Sequence, residues 1–145
     1  MTRLSVNINK YALVRNSRGG NEPNVVQIAI DCEKFGAQGI TIHPRQDERH
    51  IRYSDIKPLQ EVVQKEFNIE GFPDARFMEM VLDVRPHQCT LVPDASNQLT
   101  SDHGWDTVGE SGFLQDVIGK LKEKGIRVSV FADPVEEIIR GAKNA

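Results

Sequence analysis

A short β-branched run, Gly39–Ile42, is followed by two histidines and two arginines within eight residues. His43 and His50 are groups that exchange protons near neutral pH, and Arg45 and Arg49 are cations suited to phosphate. Apolar strands normally end in turn residues, whereas this one ends in groups that can do chemistry. Such a strand end is typical of a parallel-sheet active site that acts on a phosphorylated substrate. The alternative for this segment, taken alone, is a solvated charged loop.

Glu70 is the last residue of another predicted strand and precedes Gly71. On an interior face, partial desolvation would disfavour its charge and suit it to act as a general acid or base. His43 continues the face of its own strand that Thr41 begins, so it would point into the same mouth. An imidazole and a carboxylate from neighbouring strands can divide acid and base roles. The alternative for Glu70 is an exposed carboxylate at a strand end.

Five arginines cluster in the first two predicted βα loops, and arginine binds phosphate bidentately without losing its proton. They are Arg15, Arg18, Arg45, Arg49 and Arg52. The first two belong to a glycine-containing stretch that we predict to be a loop before a helix, presenting backbone N–H groups beside arginine. The stretch is not a Walker motif, so its pattern alone does not define a phosphate site.

Alternating strands and helices must position these residues, and apolar periodicity with capping residues predicts five of each. The predicted strands are Leu4–Asn9, Gly39–His43, Asn68–Glu70, Gln88–Val92 and Arg127–Phe131. The predicted helices are Asn24–Phe35, Ser54–Phe67 with Ser54 as N-cap, Pro73–Val84, Gly112–Lys124 with Gly125 as C-cap, and Pro134–Lys143. No flexible linker is evident, so we predict a single domain over residues 1–145.

The strands favour a barrel over a doubly wound open sheet. In the first strand Asn7 and Asn9 share one face, and in the second Thr41 and His43 do so, each opposite apolar residues. Strands of a doubly wound sheet are covered by helices on both faces and should be apolar on both. No GxGxxG follows the first strand. We therefore expect an α/β fold, a parallel (β/α)8 TIM barrel of which this chain covers about five βα units.

The composition is that of an ordinary globular domain, with 39% hydrophobic residues, 27% charged residues and a formal net charge of −3. Mild acidity gives no support for nucleic-acid binding. No apolar run approaches the roughly 20 residues of a membrane span, and the N-terminus does not resemble a signal peptide. We therefore expect a cytoplasmic protein with neither nucleic-acid nor membrane partners.

The sequence predicts no metal site. His43 and His50 lack a helical i, i+4 spacing, and no Asp or Cys cluster completes a ligand set. Cys32 and Cys89 lie in apolar periodic segments and are expected to be buried free thiols. His87 and His103 lie outside this pattern and are expected at the surface.

A long polar stretch, Pro93–Gly109, separates the fourth strand from its helix. Loops between a strand and the next helix usually have about 2–6 residues, so this one is unusually long. The functional interpretation is a mobile lid in which Thr100 and Ser101 offer hydroxyls to a ligand. The alternative is a disordered excursion.

Six segments, taken in order over essentially the whole chain, resemble the pyridoxine 5′-phosphate synthase family. They are Leu4–Lys10, Leu13–Gly20, Gly39–Arg45, Arg49–Ile51, Phe67–Glu70 and Thr90–Pro93. The resemblance implies a TIM barrel that condenses 1-deoxy-D-xylulose 5-phosphate with 3-amino-2-oxopropyl phosphate, giving pyridoxine 5′-phosphate, phosphate and water. It also implies that no organic cofactor or metal is needed and that the protein assembles as a homo-oligomer, an octamer in the family.

The resemblance implies roles for nine residues. The catalytic acid/base groups it implies are His43 and Glu70. The substrate-binding residues it implies are Asn7 for the amino-ketone phosphate, Arg18 for a phosphorylated substrate, Arg45, His50 and Thr100 for deoxyxylulose phosphate, and Asn9 and Lys10. The last two stand where many members have Asp-His, and both can still hydrogen-bond or neutralise a substrate.

A complete barrel has eight units and at least about 200 residues, whereas this chain has 145. The family's later catalytic histidine motif does not occur in it, and the first and fifth strands would be open edges. We therefore expect a fragment of a synthase that is inactive alone. One alternative is a non-catalytic phosphate-binding or assembly module that pairs its strand edges with another chain. Another is a different barrel enzyme that acts on sugar phosphates.

Overall fold

The computed structural model describes residues 2–94, 98 and 100–145. Backbone contacts divide the chain into two compact units, residues 1–70 and residues 71–145. Strands alternate with helices in both units, and the first strand pairs in parallel with the second, the second with the third and the fourth with the fifth. The predicted α/β class with five βα units is confirmed. The expectation of a single domain stays a prediction.

The first unit contains three strands and three helices. They are β1 (Ser5–Asn7), α1 (Asn9–Arg18), α2 (Val25–Lys34), β2 (Gly39–Ile42), α3 (Tyr53–Val62) and β3 (Glu66–Gly71), whose final glycine belongs to the second unit. β2 pairs with β1 on one side and with β3 on the other. The core of the unit is aliphatic, and Ile40, Ile42 and Ile69 are fully buried. Each such side chain contributes about 1.5–3 kcal/mol relative to exposure.

β1 is shorter than predicted, and α1 follows it directly where the sequence predicted first more strand and then a loop. The side chain of Asn7 causes the change of direction, because its Oδ1 accepts the backbone N–H of Asn9 at 2.9 Å. Asn9 therefore begins a helix instead of sharing a strand face with Asn7. Arg15 and Arg18 lie in the last turns of α1, so the predicted glycine-containing phosphate loop is wrong for these two residues.

α3 also departs from the predicted helix Ser54–Phe67. It begins at Tyr53, with Arg52 as its N-cap in place of Ser54, and it ends at Val62. A contact from α2 ends it, because the Glu33 carboxylate accepts the backbone N–H groups of Gln64 and Lys65 at 3.0 and 2.9 Å. Those donors are then unavailable to a longer helix, and β3 begins directly after Lys65, at Glu66.

The second unit contains α4 (Ala75–Val84), β4 (Gln88–Leu91), α5 (Ser111–Glu123), β5 (Arg127–Val130) and α6 (Glu136–Asn144). β4 and β5 pair in parallel, with Cys89 opposite Val128. Asp74 caps α4 by accepting the backbone N–H of Phe77 at 2.8 Å. After α5 the chain turns at Gly125, whose φ of +75° suits glycine at the predicted helix end. The core here includes Phe77, Leu91 and Leu121.

The two cysteines differ in burial. Cys89 is fully buried, as predicted, and burial raises the pKa of its thiol to about 12. Cys32 is only half-buried, so the prediction that it is a core residue is wrong. It lies in the last turn of α2 (Val25–Lys34).

Candidate active site

A row of polar side chains crosses the three strands of the first unit. The register places Asn7 opposite Thr41, and Thr41 opposite Asn68. The Thr41 hydroxyl lies 2.8 Å from the Ser5 hydroxyl and accepts the Asn68 amide at 3.2 Å. Thr41 and Asn68 are buried, so these hydrogen bonds satisfy groups that water does not reach. The row is the floor on which the candidate site is built.

His43 and Glu70 lie one step beyond this row, towards the carboxyl ends of β2 and β3. The parallel register ends with Ile42 opposite Ile69, so the next positions are taken by Glu70, which is still in β3, and by His43, the first residue after β2. Side chains alternate along a strand, which places both on the face of Thr41 and Asn68. His43 is buried and Glu70 half-buried. Strand alternation thus puts the two side chains on the same face, and their joint role as an acid/base pair stays a prediction.

Asn9, in the first turn of α1, fixes the backbone at His43. Its Oδ1 accepts the His43 backbone N–H at 2.8 Å, and this contact is buried. The backbone of Ile8 is bound to β2 as well, through its N–H to the carbonyl oxygen of Thr41 at 3.1 Å. Asn9 thus joins the start of α1 to the end of β2, a structural contact that the sequence pattern did not reveal.

A group of cations surrounds the half-buried side chain of His50. Burial is the largest cause that lowers the pKa of His50, and the positive charges of Lys10, Arg49 and Arg45 lower it further, while Asp47 raises it. Burial and the nearby cations therefore favour the neutral form of the ring. Its Nδ1 is buried and has no hydrogen-bond partner among the described residues. The cations beside it are suited to bind an anionic ligand.

Arg15, predicted as a phosphate ligand, is instead the centre of a buried ion pair. Its side chain is almost completely buried, and its guanidinium binds both carboxylate oxygens of Asp55, at 2.7 and 2.9 Å. The guanidinium also donates to the side-chain oxygen of Asn16. Arg15 faces the interior because it follows the buried Asn9 and Ala12 at three-residue spacing on α1. The prediction that it belongs to an accessible arginine cluster is wrong.

The other predicted cations are distributed differently. Lys10 and Arg18 are exposed at the two ends of α1, and Arg45 is buried in the segment after β2. Arg49 is bound to the Asp47 carboxylate at 2.8 Å. The structure thus brings Lys10, Arg45 and Arg49 towards His50.

Thr100 lies in the second unit as an exposed residue of the long stretch before α5. Its carbonyl oxygen accepts the side-chain amide of Gln98 at 2.9 Å. The predicted lid falls partly on residues 95–97 and 99, which lie outside the described residues. Its second half is packed, since Trp105 is buried and stacks on Phe72 with ring centroids 5.8 Å apart. The predicted lid is thus anchored at its helix-proximal end.

The described residues hold no group of three or more His, Cys, Asp or Glu side chains arranged for a metal ion. In residues 2–94, 98 and 100–145, no helix has both the length and the apolar character needed to cross a membrane. His87 and His103 are exposed, as predicted. The Asp102 carboxylate binds His103 at 2.7 Å and raises its pKa.

The described residues form a parallel α/β protein in which His43, Glu70 and several cationic side chains lie near the ends of β2 and β3. The family model described as "Pyridoxal phosphate biosynthesis protein PdxJ" matches residues 4–145. The chain therefore belongs to the PdxJ family.

Curated relatives agree with this assignment. The chain is 57% identical over its whole length to the pyridoxine 5′-phosphate synthase of Cytophaga hutchinsonii, of which it covers 61%. It is 58% identical over 142 residues to the enzyme of that name from Christiangramia forsetii, covering 98% of this chain and 60% of the relative. The chain is 57% identical over 145 residues to the pyridoxine 5′-phosphate synthase of Bacteroides fragilis, and the match covers 100% of this chain and 61% of the relative. The chain spans about three fifths of the length of these relatives.

Proposed function

We propose that the whole protein is a pyridoxine 5′-phosphate synthase, which condenses 1-deoxy-D-xylulose 5-phosphate with 3-amino-2-oxopropyl phosphate. The observation that carries this proposal is the placement of His43 and Glu70 on one strand face, one step beyond the polar row of Asn7, Thr41 and Asn68. Names shared with relatives at 57–58% identity support the same reaction.

The reaction needs repeated proton transfers, which the two residues can divide. The substrate amine attacks the ketone of deoxyxylulose phosphate, and water leaves as the imine forms. Proton removal from the adjacent carbon then gives an enamine. We assign these transfers to Glu70, whose half-buried carboxylate can accept a proton and return it. His43 is proposed to assist the elimination of phosphate from the deoxyxylulose unit.

The cations near His50 are proposed to receive deoxyxylulose phosphate. Lys10 and Arg45 would balance the negative charge of its phosphate, and His50 would hydrogen-bond it. The environment of His50 fits this role, because burial and nearby cations favour the neutral form of its ring and its Nδ1 has no partner among the described residues. Asn7 would contact substrate at the polar row, and Asn9 would contact substrate from the first turn of α1. Arg18, exposed at the end of α1, is proposed to hold phosphorylated substrate.

Thr100 and the state of the whole protein are also part of the proposed function. Thr100 is proposed as a contact for deoxyxylulose phosphate in the whole protein. Homo-oligomeric assembly, a cytoplasmic location and a reaction without cofactor belong to the same proposal. A size measurement in solution, at several protein concentrations, tests the assembly.

The experiment that tests the function is turnover of both substrates by the whole protein, with pyridoxine 5′-phosphate identified by mass. Glu70→Gln keeps the shape of the side chain but removes its basicity, so kcat should fall by about 100-fold or more. Glu66→Gln is the matched control, because Glu66 lies on the same strand at its opposite end. It should retain nearly all activity.

No product from the wild-type protein would overturn the proposed function. Product formation with near-normal turnover by Glu70→Gln would keep the function but remove Glu70 from the proton transfers.

A further inference from the structure

The segment between β2 and α3, residues 43–52, carries His43, Arg45 and His50, yet it contains no regular secondary structure. We call it the β2–α3 loop. It includes Glu48, whose φ of +53° lies in the left-handed region that side chains other than glycine rarely adopt. A loop in this conformation must be held by its surroundings.

The side chain of Asn16, on α1, supplies much of that hold. Its Nδ2 lies 2.7 Å from the carbonyl oxygen of His50, 2.9 Å from that of Arg49 and 3.3 Å from that of Glu48. An amide nitrogen has two hydrogens, so the two shorter contacts are the main hydrogen bonds and the third is shared. Asn16 therefore binds three successive carbonyl groups of the loop.

Arg15 sets the orientation of that amide. Its Nε and Nη2 donate to the Asn16 Oδ1 at 3.1 and 3.0 Å, which leaves the Asn16 nitrogen facing the loop. The reverse orientation would set the amide nitrogen against a guanidinium and the amide oxygen against three carbonyl oxygens. Arg15 is held in turn by its two hydrogen bonds to Asp55.

Asp55 also reaches the end of the same loop. Its Oδ2 accepts the backbone N–H of Arg52 at 2.8 Å, so one carboxylate oxygen binds both the loop and Arg15. The three side chains form a connected network from α1 through the loop to α3. None of them displays a free charge to a substrate, and their contacts are with backbone groups and with each other.

We propose that Asn16, oriented by Arg15 and Asp55, is a positioning residue that sets the geometry in which Arg45 and His50 receive deoxyxylulose phosphate. This inference rests on the proposed function, because it concerns the same site. A positioning role differs from a general structural role in its selectivity. It should affect the substrate that the loop contacts and leave the amino-ketone phosphate almost unaffected.

The test is Asn16→Asp in the whole protein. The carboxylate keeps the acceptor that Arg15 binds, but it replaces the donor with an oxygen that repels the three carbonyl groups. KM for deoxyxylulose phosphate should rise about tenfold, while KM for the amino-ketone phosphate changes by less than about twofold. Asn21→Asp is the matched control, since it makes the same chemical change at an exposed position just beyond α1. Its constants should equal those of the wild type.

Arg15→Lys provides a second variant that keeps a cation for Asp55. It removes the pair of donors that orient Asn16, so the same selective rise in KM should appear, at about threefold. Equal KM values in Asn16→Asp and Asn21→Asp, or equal rises for both substrates, would overturn the inference. Failure of both network variants to fold would assign the network to stability and overturn it too. Lack of product from the wild type, by contrast, would reject the proposed function itself.

Discussion

The β2–α3 loop and the segment between β4 and α5 both follow a strand and lead into a helix, but they are held by different forces. The first is fixed by polar groups, mainly the Asn16 amide and the Asp55 carboxylate. The second is anchored by apolar packing, with Trp105 stacked on Phe72 and tilted against Phe113. Hydrogen bonds fix the direction of individual groups, whereas apolar burial fixes a segment without aiming its atoms. The β2–α3 loop is thus fixed at successive backbone groups, whereas ring packing around Trp105 is prominent in the described part of the second segment.

The largest effect should come from removing the centre of the polar network. Arg15→Ala leaves the Asp55 carboxylate, whose side chain is only 12% exposed, without its cation. The free energy of unfolding should fall by about 3–5 kcal/mol, measured by chemical denaturation. In the second unit, Arg140→Ala removes an ion pair whose partners are 75% and 79% exposed, and it should cost less than about 0.5 kcal/mol. Similar losses of unfolding free energy in the two variants would contradict a larger contribution from the buried ion pair.

A smaller effect is expected where the apolar segment meets the backbone that follows β5. A Cβ at Gly104 would lie 2.5 Å from backbone atoms of Ala132 and Asp133. Gly104→Ala should therefore lower the free energy of unfolding by about 1–3 kcal/mol. Gly119→Ala is its control, since open space surrounds that helical position, and it should raise stability by about 0.5–1 kcal/mol. Thermal unfolding of both variants measures the difference, and destabilisation of equal size would refute close packing at Gly104.

The smallest expected effect is a difference between the pKa values of His50 and His103, one histidine from each segment. The pKa of His50 is lowered by burial and then by nearby cations, so protonating it opposes folding and its contribution to stability is lost as pH falls through that pKa. The pKa of His103 is raised, chiefly by its hydrogen bond to Asp102, so its contribution is present at low pH and lost as pH rises through the raised value. As pH falls, His103 should protonate before His50 in a titration followed by NMR.

A charge change gives this titration its control. Lys10→Met should raise the pKa of His50, because it removes the first of the cations that lower it, while Lys57→Met on the exposed side of α3 should not. The reverse order of protonation, or equal shifts in the two variants, would show that local charges do not govern these rings.

Periodicity in the sequence is sufficient to predict β2 and β3, the strands next to the candidate site. Alternation along β2 and β3 placed His43 and Glu70 on one face, because a strand repeats every two residues whatever lies far away in the chain. It was insufficient for α1, whose N-cap Ile8 offers no side-chain oxygen and whose apolar residues form no continuous stripe. The start of that helix depends on the hydrogen bond from the Asn9 backbone N–H to the Asn7 side chain. In the sequence, Asn7 resembles an ordinary strand end.

Long-range contacts explain the remaining differences. Arg15 looked like a phosphate ligand because its partner Asp55 lies forty residues further along the chain. The early end of α3 depends on Glu33, which lies more than thirty residues before the groups it binds. Neither pairing has a signature in local spacing, and the position of His50 among cations likewise follows from folding. The roles assigned to the nine site residues stay predictions.

α1 acts as a spacer of fixed length beside the carboxyl end of β2. Asn9 and Asn16 are seven residues apart, which is about two helical turns and about 10 Å along the axis, so both point to the same side. One holds the backbone where the β2–α3 loop begins, and the other holds it where His50 stands. The distance between these two points of the loop is therefore set by a rigid rod that is synthesised before the loop. A slide or tilt of this helix would move the imidazole of His43 and that of His50 together.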